Sequence, residues 1–178
     1  LINESSETEA CARRIGGNTR EVFVVPAFTG LGAPHWRPDA RGLITGLTLD
    51  DGKDEIVTAT LKSIGFQTAD LIGAFNGDGV TVNELRVDGG MVDNDWFCQF
   101  LSDVCNLCVE RPEVTESSAL GAATLASVGA GMWSGLHDVE QCWAMERRFR
   151  PSVTLDERER WVVGWRAAVK RTLGQGLP

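Results

Sequence analysis

Apolar positions along this chain gather into short continuous runs and longer helical stripes, separated by clusters of Gly, Pro, Asn and Asp. Val22 to Val25 (VFVV) is a β-branched and aromatic run bounded by Asn18 and Pro26, which predicts a strand buried on both faces. A long irregular loop, FTGLGAPHWRPDARG, follows and carries an exposed-looking His35-Trp36 pair. Leu43 to Leu49 (LITGLTL) predicts a second strand, ended by the turn chemistry of Asp50-Asp51-Gly52. From Asp54 to Phe75 the positions Val57, Leu61, Ile64, Leu71, Ile72 and Phe75 recur at helical spacing, with Thr68 filling one step. Asp54 and Glu55 favour the start of this helix and Asn76-Gly77-Asp78-Gly79 stops it. It is the longest helix predicted, about 30 Å at a rise of 1.5 Å per residue.

The second half repeats the alternation. Glu84 to Asp88 (ELRVD) predicts a short strand, Asn94 to Val104 a helix with Phe97, Phe100, Leu101 and Val104 on one face, and Cys108 to Arg111 (CVER) a strand closed by Pro112. Ser117 to Val128 predicts a helix of Ala, Gly and Ser, whose small side chains let a neighbouring element approach its backbone. Residues 132–150 read as a connection with a short helix around Asp138 to Ala144. A last amphipathic helix runs from about Leu155 to Leu173, with Trp161, Trp165, Ala168 and Leu173 inward and the acidic first turn DERE at its N-terminus. Strand, helix, strand, helix, strand, helix is the order of an α/β layer with a largely parallel sheet, and ligands on such sheets gather at the carboxyl ends of the strands.

Composition narrows the class. A chain of 178 residues, 43% hydrophobic, can bury a substantial core. A net charge of -8 argues against nucleic acid, because phosphate neutralisation needs a clustered basic face and Arg147, Arg148 and Arg150 are too few to make one. No apolar run approaches the roughly 20 residues of a membrane span, so no membrane partner and a cytoplasmic location are expected. Five cysteines, an odd number, are expected to be reduced thiols. Cys105 and Cys108 form a C-x-x-C with no second half at ligand spacing, which favours small buried residues near a helix end over a metal or redox site. Leu1 stands where Met would begin a chain, and Ser5, Ser6 and Glu9 resemble the cap and first turn of a helix, so a piece of a longer protein is expected.

The stretch RVDGGMVDNDW, Arg86 to Trp96, puts two glycines at a strand-to-helix junction. Two readings stand: a tight turn, or bare backbone against which a ligand lies. Free N–H groups at a helix start suit an anion, and a residue without Cβ lets a nucleotide lie on the chain. The spacing is neither G-x-G-x-x-G nor a Walker loop. No hydrolase triad or zinc motif is present, and Asp39 and Asp88 read as turn carboxylates.

VVPAFTGLGAPHWRPDARG, ATLKSIGFQTAD, LRVDGG, ERPE and SALGAA, in this order and at these separations, resemble the C-terminal part of the FGGY family of carbohydrate kinases, and within it the glycerol kinases. The resemblance runs from about Asn18 to Arg171. Lys62 stands where the family's pattern has an acidic or amide side chain, and the helical pattern makes it an exposed position; His35 stands where a tyrosine is common. The resemblance implies an actin-like, ribonuclease-H-like ATPase fold, with residues 1–178 as part of the C-terminal FGGY domain. It implies transfer of the γ-phosphoryl group of ATP to glycerol with ATP and Mg2+ as cofactors, ADP and sn-glycerol 3-phosphate as products, and a homo-oligomeric enzyme, dimer or tetramer. A ketose or other polyol substrate, or a non-catalytic oligomerisation or regulatory module, are the alternatives. By the same resemblance Gly89 and Gly90 match the family's adenosine-binding glycine pair and Asn94 the polar residue that follows on the helix. The family's phosphate hairpin, polyol-binding residues and general base match nothing in this chain, so the chain alone is expected to be inactive and to hold no catalytic residue and no metal ligand.

Overall fold

The computed structural model describes residues 2–16, 22–135, 137, 139 and 142–174. Its elements are α1 (Glu7–Ile15), β1 (Phe23–Val25), β2 (Leu43–Thr45), α2 (Lys53–Gly77), β3 (Glu84–Arg86), a 3-10 turn (Gly90–Asp93), α3 (Asp95–Cys105), β4 (Cys108–Pro112), α4 (Ser117–Gly129), β5 (Met145–Phe149) and α5 (Leu155–Thr172). The short helix expected around Asp138 to Ala144 rests on residues outside the described ones, as does Asn18.

A largely parallel sheet was expected, and the pairing differs. β1 and β2 form an antiparallel pair, Phe23 opposite Thr45 and Val25 opposite Leu43. β3, β4 and β5 form a separate sheet in that order, β3 parallel to β4 and β4 antiparallel to β5. Among the described strands the one parallel pair is joined through α3, where a true crossover separates the strands. β5 lies in what read as a connection. Its run MERRF hides a strand because four of its five residues are exposed and its charges are paired rather than solvated. Across the sheet Arg86 faces Glu110 and Glu110 faces Arg148, and the buried Glu110 carboxylate takes an ion pair from each side, 3.4 Å to Arg86 Nε. The three arginines that looked like a basic patch therefore include two used inside the fold, Arg148 on Glu110 and Arg147 on Asp95.

β2 stops at Thr45, shorter than expected, because Gly46 turns the chain at φ +88° and Leu49 beyond it is fully exposed. α1 is capped differently from the serine reading. Ser6 makes no side-chain cap bond, and Glu7 Oε1 accepts from Asn3 N and Glu4 N instead, which lowers the Glu7 pKa.

The core lies where α2, α3, α5 and β1 meet. Phe66 of α2 stacks on Trp165 of α5 at 5.3 Å and meets Phe100 of α3 edge-on at 5.4 Å. Burying each such ring contributes roughly 1.5–3 kcal/mol. Trp165 Nε1 donates to Asp70 Oδ2 at 2.7 Å, so the buried indole keeps a polar partner. His35 sits half-buried beside the same carboxylate, 3.7 Å away, while Trp36 is exposed. The expected inward stripe of α2 fails at Phe75, which is half-exposed because α2 runs on past the core.

Two further expectations are corrected. Lys62 is buried, 5% exposed, its Nζ 5.3 Å from the Phe100 ring centroid and 5.2 Å from that of Trp161. Burial lowers its pKa to about 8 against the pull of Glu157. The helical stripe concealed this because α3 and α5 both pack on α2, so its buried arc is wider than one apolar face. The two glycines of α4 do not admit a close neighbour: a Cβ at Gly121 or Gly129 would meet nothing within 4 Å, and Thr124 is the one residue of the helix that is fully buried. Cys105 and Cys108 lie at the end of α3 and the start of β4, and burial pushes the Cys105 thiol up to about 12 and Cys98 up to about 11. Such thiols are protonated and poorly reactive at neutral pH.

Candidate functional site

The glycine pair divides between the two readings. Gly89 has φ +85° and ψ 166°, a conformation open essentially to glycine alone, so it makes the turn. Its N–H donates to Thr115 O at 2.7 Å, which fixes the turn to the segment after β4. Gly90 has no such backbone demand, and a Cβ placed on it would meet nothing within 4 Å. It presents bare backbone to open space. From there the 3-10 turn carries the chain to Asn94, which caps α3: its Oδ1 accepts from Phe97 N at 2.9 Å and its Nδ2 donates to Thr8 Oγ1 at 3.3 Å. The cap satisfies one of the orphan donors at the helix start.

That second bond brings α1 to the turn and closes a cleft of about 480 Å³, lined by Ser5, Ser6, Thr8 and Glu9 on one side, Gly90, Asp93 and Asn94 on the other, and Leu61 of α2. The structure thus gathers Gly90 and Asn94 into one cleft, with Gly89 behind them. Sequence reasoning missed the α1 hydroxyls, because 86 residues separate Thr8 from Asn94 and no local pattern connects them.

The cleft's chemistry is selective. No described residue lining it is a cation, and it holds two carboxylates, Glu9 and Asp93. Phosphate is therefore disfavoured against these residues. Asp95 in the first turn of α3 is held by both Arg111 and Arg147, so its charge is balanced by partners behind the cleft. Hydroxyls, an amide and carboxylate acceptors beside the apolar side chains of Leu61 and Met91 suit a neutral, hydroxyl-bearing group such as a ribose with its base.

Among the described residues no group of three His, Cys, Asp or Glu side chains could hold a metal ion. The Mg2+ that the resemblance implies therefore finds no ligand set among those residues. No helix among the described residues is long and apolar enough to cross a membrane.

The profile of the FGGY family of carbohydrate kinases, C-terminal domain, matches residues 3–130. The chain belongs to this family. An FGGY relative, the glycerol kinase of Alteromonas mediterranea, is 50% identical over 171 residues, which is 96% of this chain and 34% of that protein. The chain spans about a third of the length of the curated relatives it matches. The crystal structure of Plasmodium falciparum glycerol kinase with ADP matches with TM-score 0.84 and 36% identity, covering 97% of this chain and 34% of that one. Xylulose kinase from Rhodospirillum rubrum matches with TM-score 0.77 at 20% identity over 95% of this chain and 34% of that one, a likeness of fold alone. The sugar-kinase, actin-like ATPase fold of the FGGY C-terminal domain is thereby established for the chain.

Proposed function

We propose that this chain forms the nucleoside-facing wall of an ATP-dependent glycerol kinase, in which the γ-phosphoryl group of ATP passes to a terminal hydroxyl of glycerol to give sn-glycerol 3-phosphate. The observation that carries the reading is Gly90, whose missing Cβ leaves backbone open to a cleft of neutral and acceptor groups. Adenosine lies on Gly90 with Asn94 beside it, and Gly89 keeps the turn in place. The relatives named above support glycerol as acceptor, and the Plasmodium protein with ADP supports an adenine nucleotide. Mg2+ arrives with the nucleotide's phosphates. The phosphoryl-transfer groups lie outside this chain, whose 178 residues alone turn over no substrate; the intact enzyme is a cytoplasmic dimer or tetramer.

Gly90→Val in the full-length protein tests the site. The branched side chain is accommodated by the fold, so thermal stability holds, while the KM for ATP rises about tenfold or more and the KM for glycerol stays put. Unchanged ATP kinetics in the folded variant would return Gly90 to a structural role. Comparing kcat/KM for glycerol, dihydroxyacetone and xylulose tests the acceptor, and a preference for the ketose rejects glycerol. Light scattering across a concentration series reports the oligomer.

A further inference from the structure

The turn that carries Gly90 is short. Four residues of 3-10 helix, closed by Val92 N to Gly89 O at 3.1 Å and Asn94 N to Met91 O at 3.2 Å, are marginal by themselves. Something outside the turn has to set its shape. One anchor is the Gly89 N–H on Thr115 O. The other comes from Arg111 of β4, which the sequence offers only as one letter of ERPE.

Arg111 is buried, and its guanidinium reaches three elements. Nη1 donates to the Val92 carbonyl at 2.6 Å, inside the turn. The same nitrogen is 2.9 Å from Asp95 Oδ1, at the first residue of α3. Nε donates to Glu146 Oε2 at 2.8 Å on β5, and the planar head lies over the Phe149 ring at 5.5 Å. The Glu146 and Asp95 carboxylates hold the guanidinium pKa above its ordinary value, so it is charged at every working pH. Val92 is itself buried, and its carbonyl has one other described partner, the weak Cys98 Sγ donor at 3.2 Å. A planar fork with several donors can join carbonyl and carboxylate at once; a lysine ammonium on its flexible stem cannot hold the same geometry.

We infer that Arg111 is a positioning residue for nucleotide binding: by gripping the Val92 carbonyl and the Asp95 carboxylate together it fixes Gly90 and Asn94 in the relative placement that a nucleoside meets. The inference rests on the nucleotide reading above. Arg111 does not line the cleft and touches no ligand. It acts through the turn, so its loss loosens the ground-state binding surface and leaves the phosphoryl-transfer step alone.

The test is steady-state kinetics on the full-length protein with Arg111→Lys. The expected result is a KM for ATP raised about tenfold, kcat within about twofold and an unchanged KM for glycerol. A role in folding alone would lower the melting temperature and the active fraction without moving the KM for ATP, and that result overturns the inference. Should Arg111→Lys fail to fold, Asp95→Asn removes the carboxylate that ties the guanidinium to the start of α3, with Glu146 and the α3 cap left in place. It is expected to raise the KM for ATP about threefold, and an unchanged KM there overturns the inference as well. The wild-type titration separates the two claims: absence of saturation by ATP defeats the nucleotide reading itself, whereas saturation in wild type with unmoved KM in the variants defeats only the role of Arg111.

Discussion

Two strand-to-helix junctions follow each other in this chain, β3 into α3 and β4 into α4, and they are built on opposite terms. α3 buries Phe97, Phe100, Leu101 and Val104, opens on an Asn94 cap and turns out through Asn106 at φ 53°. α4 contains no Asp, Glu, Lys or Arg and yet buries only Thr124, and Glu116 at its start makes no cap bond. Both segments look apolar in sequence. What separates them is the size of the side chains and the presence of a neighbour: aromatic and branched groups on α3 find α2 and α5, whereas a Cβ on Gly121 or Gly129 of α4 would meet nothing within 4 Å and only Thr124 is fully buried. Apolar composition states what an element tolerates, and packing decides whether it is used.

The largest way to break that contrast is at Phe100, which meets Phe66, Trp96 and Trp161 within 5.7 Å. Phe100→Ala is expected to cost about 3–5 kcal/mol by denaturant unfolding, because the rigid surroundings leave a cavity. A loss near that of a surface change would mean that α3 is not the packing helix described here.

Next in size is the charge that α3 and α5 bury against α2. The Lys62 pKa falls from the ordinary lysine value of 10.5 to about 8 in the fold, through burial. Below pH 8 the ammonium is charged in both states and the folded state carries the full penalty. Between pH 8 and 10.5 the folded state releases the proton while the unfolded chain retains it, so stability rises with pH across that window. The expected gain is about 2 kcal/mol, with Glu157 facing the ammonium and Asp103 lining the same cavity as the acidic neighbours. Urea midpoints measured from pH 7 to 10 check it, and Lys62→Met should flatten the slope. A wild-type profile that falls through this window would reject the buried charge.

These particulars show how far the sequence reached. α2, α3 and α5 were legible because large apolar side chains recur with the helix period and Gly, Asn or capping residues punctuate them. β5 was illegible because its charged residues Glu146, Arg147 and Arg148 are neutralised by partners from other elements, and pairing across a sheet leaves no local trace. Lys62 misled for a related reason: α1, α3, α5 and β1 all pack on α2, and periodicity reports one face. At the site, the glycine pair was visible as two residues with one ambiguous meaning. Only the backbone separated Gly89, which shapes the turn, from Gly90, which is open, and only tertiary structure brought Thr8 and Arg111 to them.

The caps give a smaller and sharper test of the two junctions. Asn94→Ala removes the acceptor for Phe97 N and the donor to Thr8, and is expected to cost about 1 kcal/mol of stability. Glu116→Ala, where no cap bond exists, is expected to change it by no more than about 0.5 kcal/mol. Equal losses at both positions would erase the distinction between a capped helix and an uncapped one.

The smallest expected effect lies on α4 itself. Leu125 is its largest exposed side chain, 57% exposed. Leu125→Ala in the isolated chain removes little area that folding takes from water, and Ala has the higher helix propensity, so stability should change by no more than about 0.5 kcal/mol. Hydrogen exchange reads the same contrast without mutation. Amides in the middle of α4 open locally and exchange well before those of α3, whose opening must break the Phe66, Phe100 and Trp161 contacts. If Leu125→Ala instead cost about 2 kcal/mol, or if the two helices exchanged together, α4 would have a partner within the chain, and its small residues would be packing residues after all.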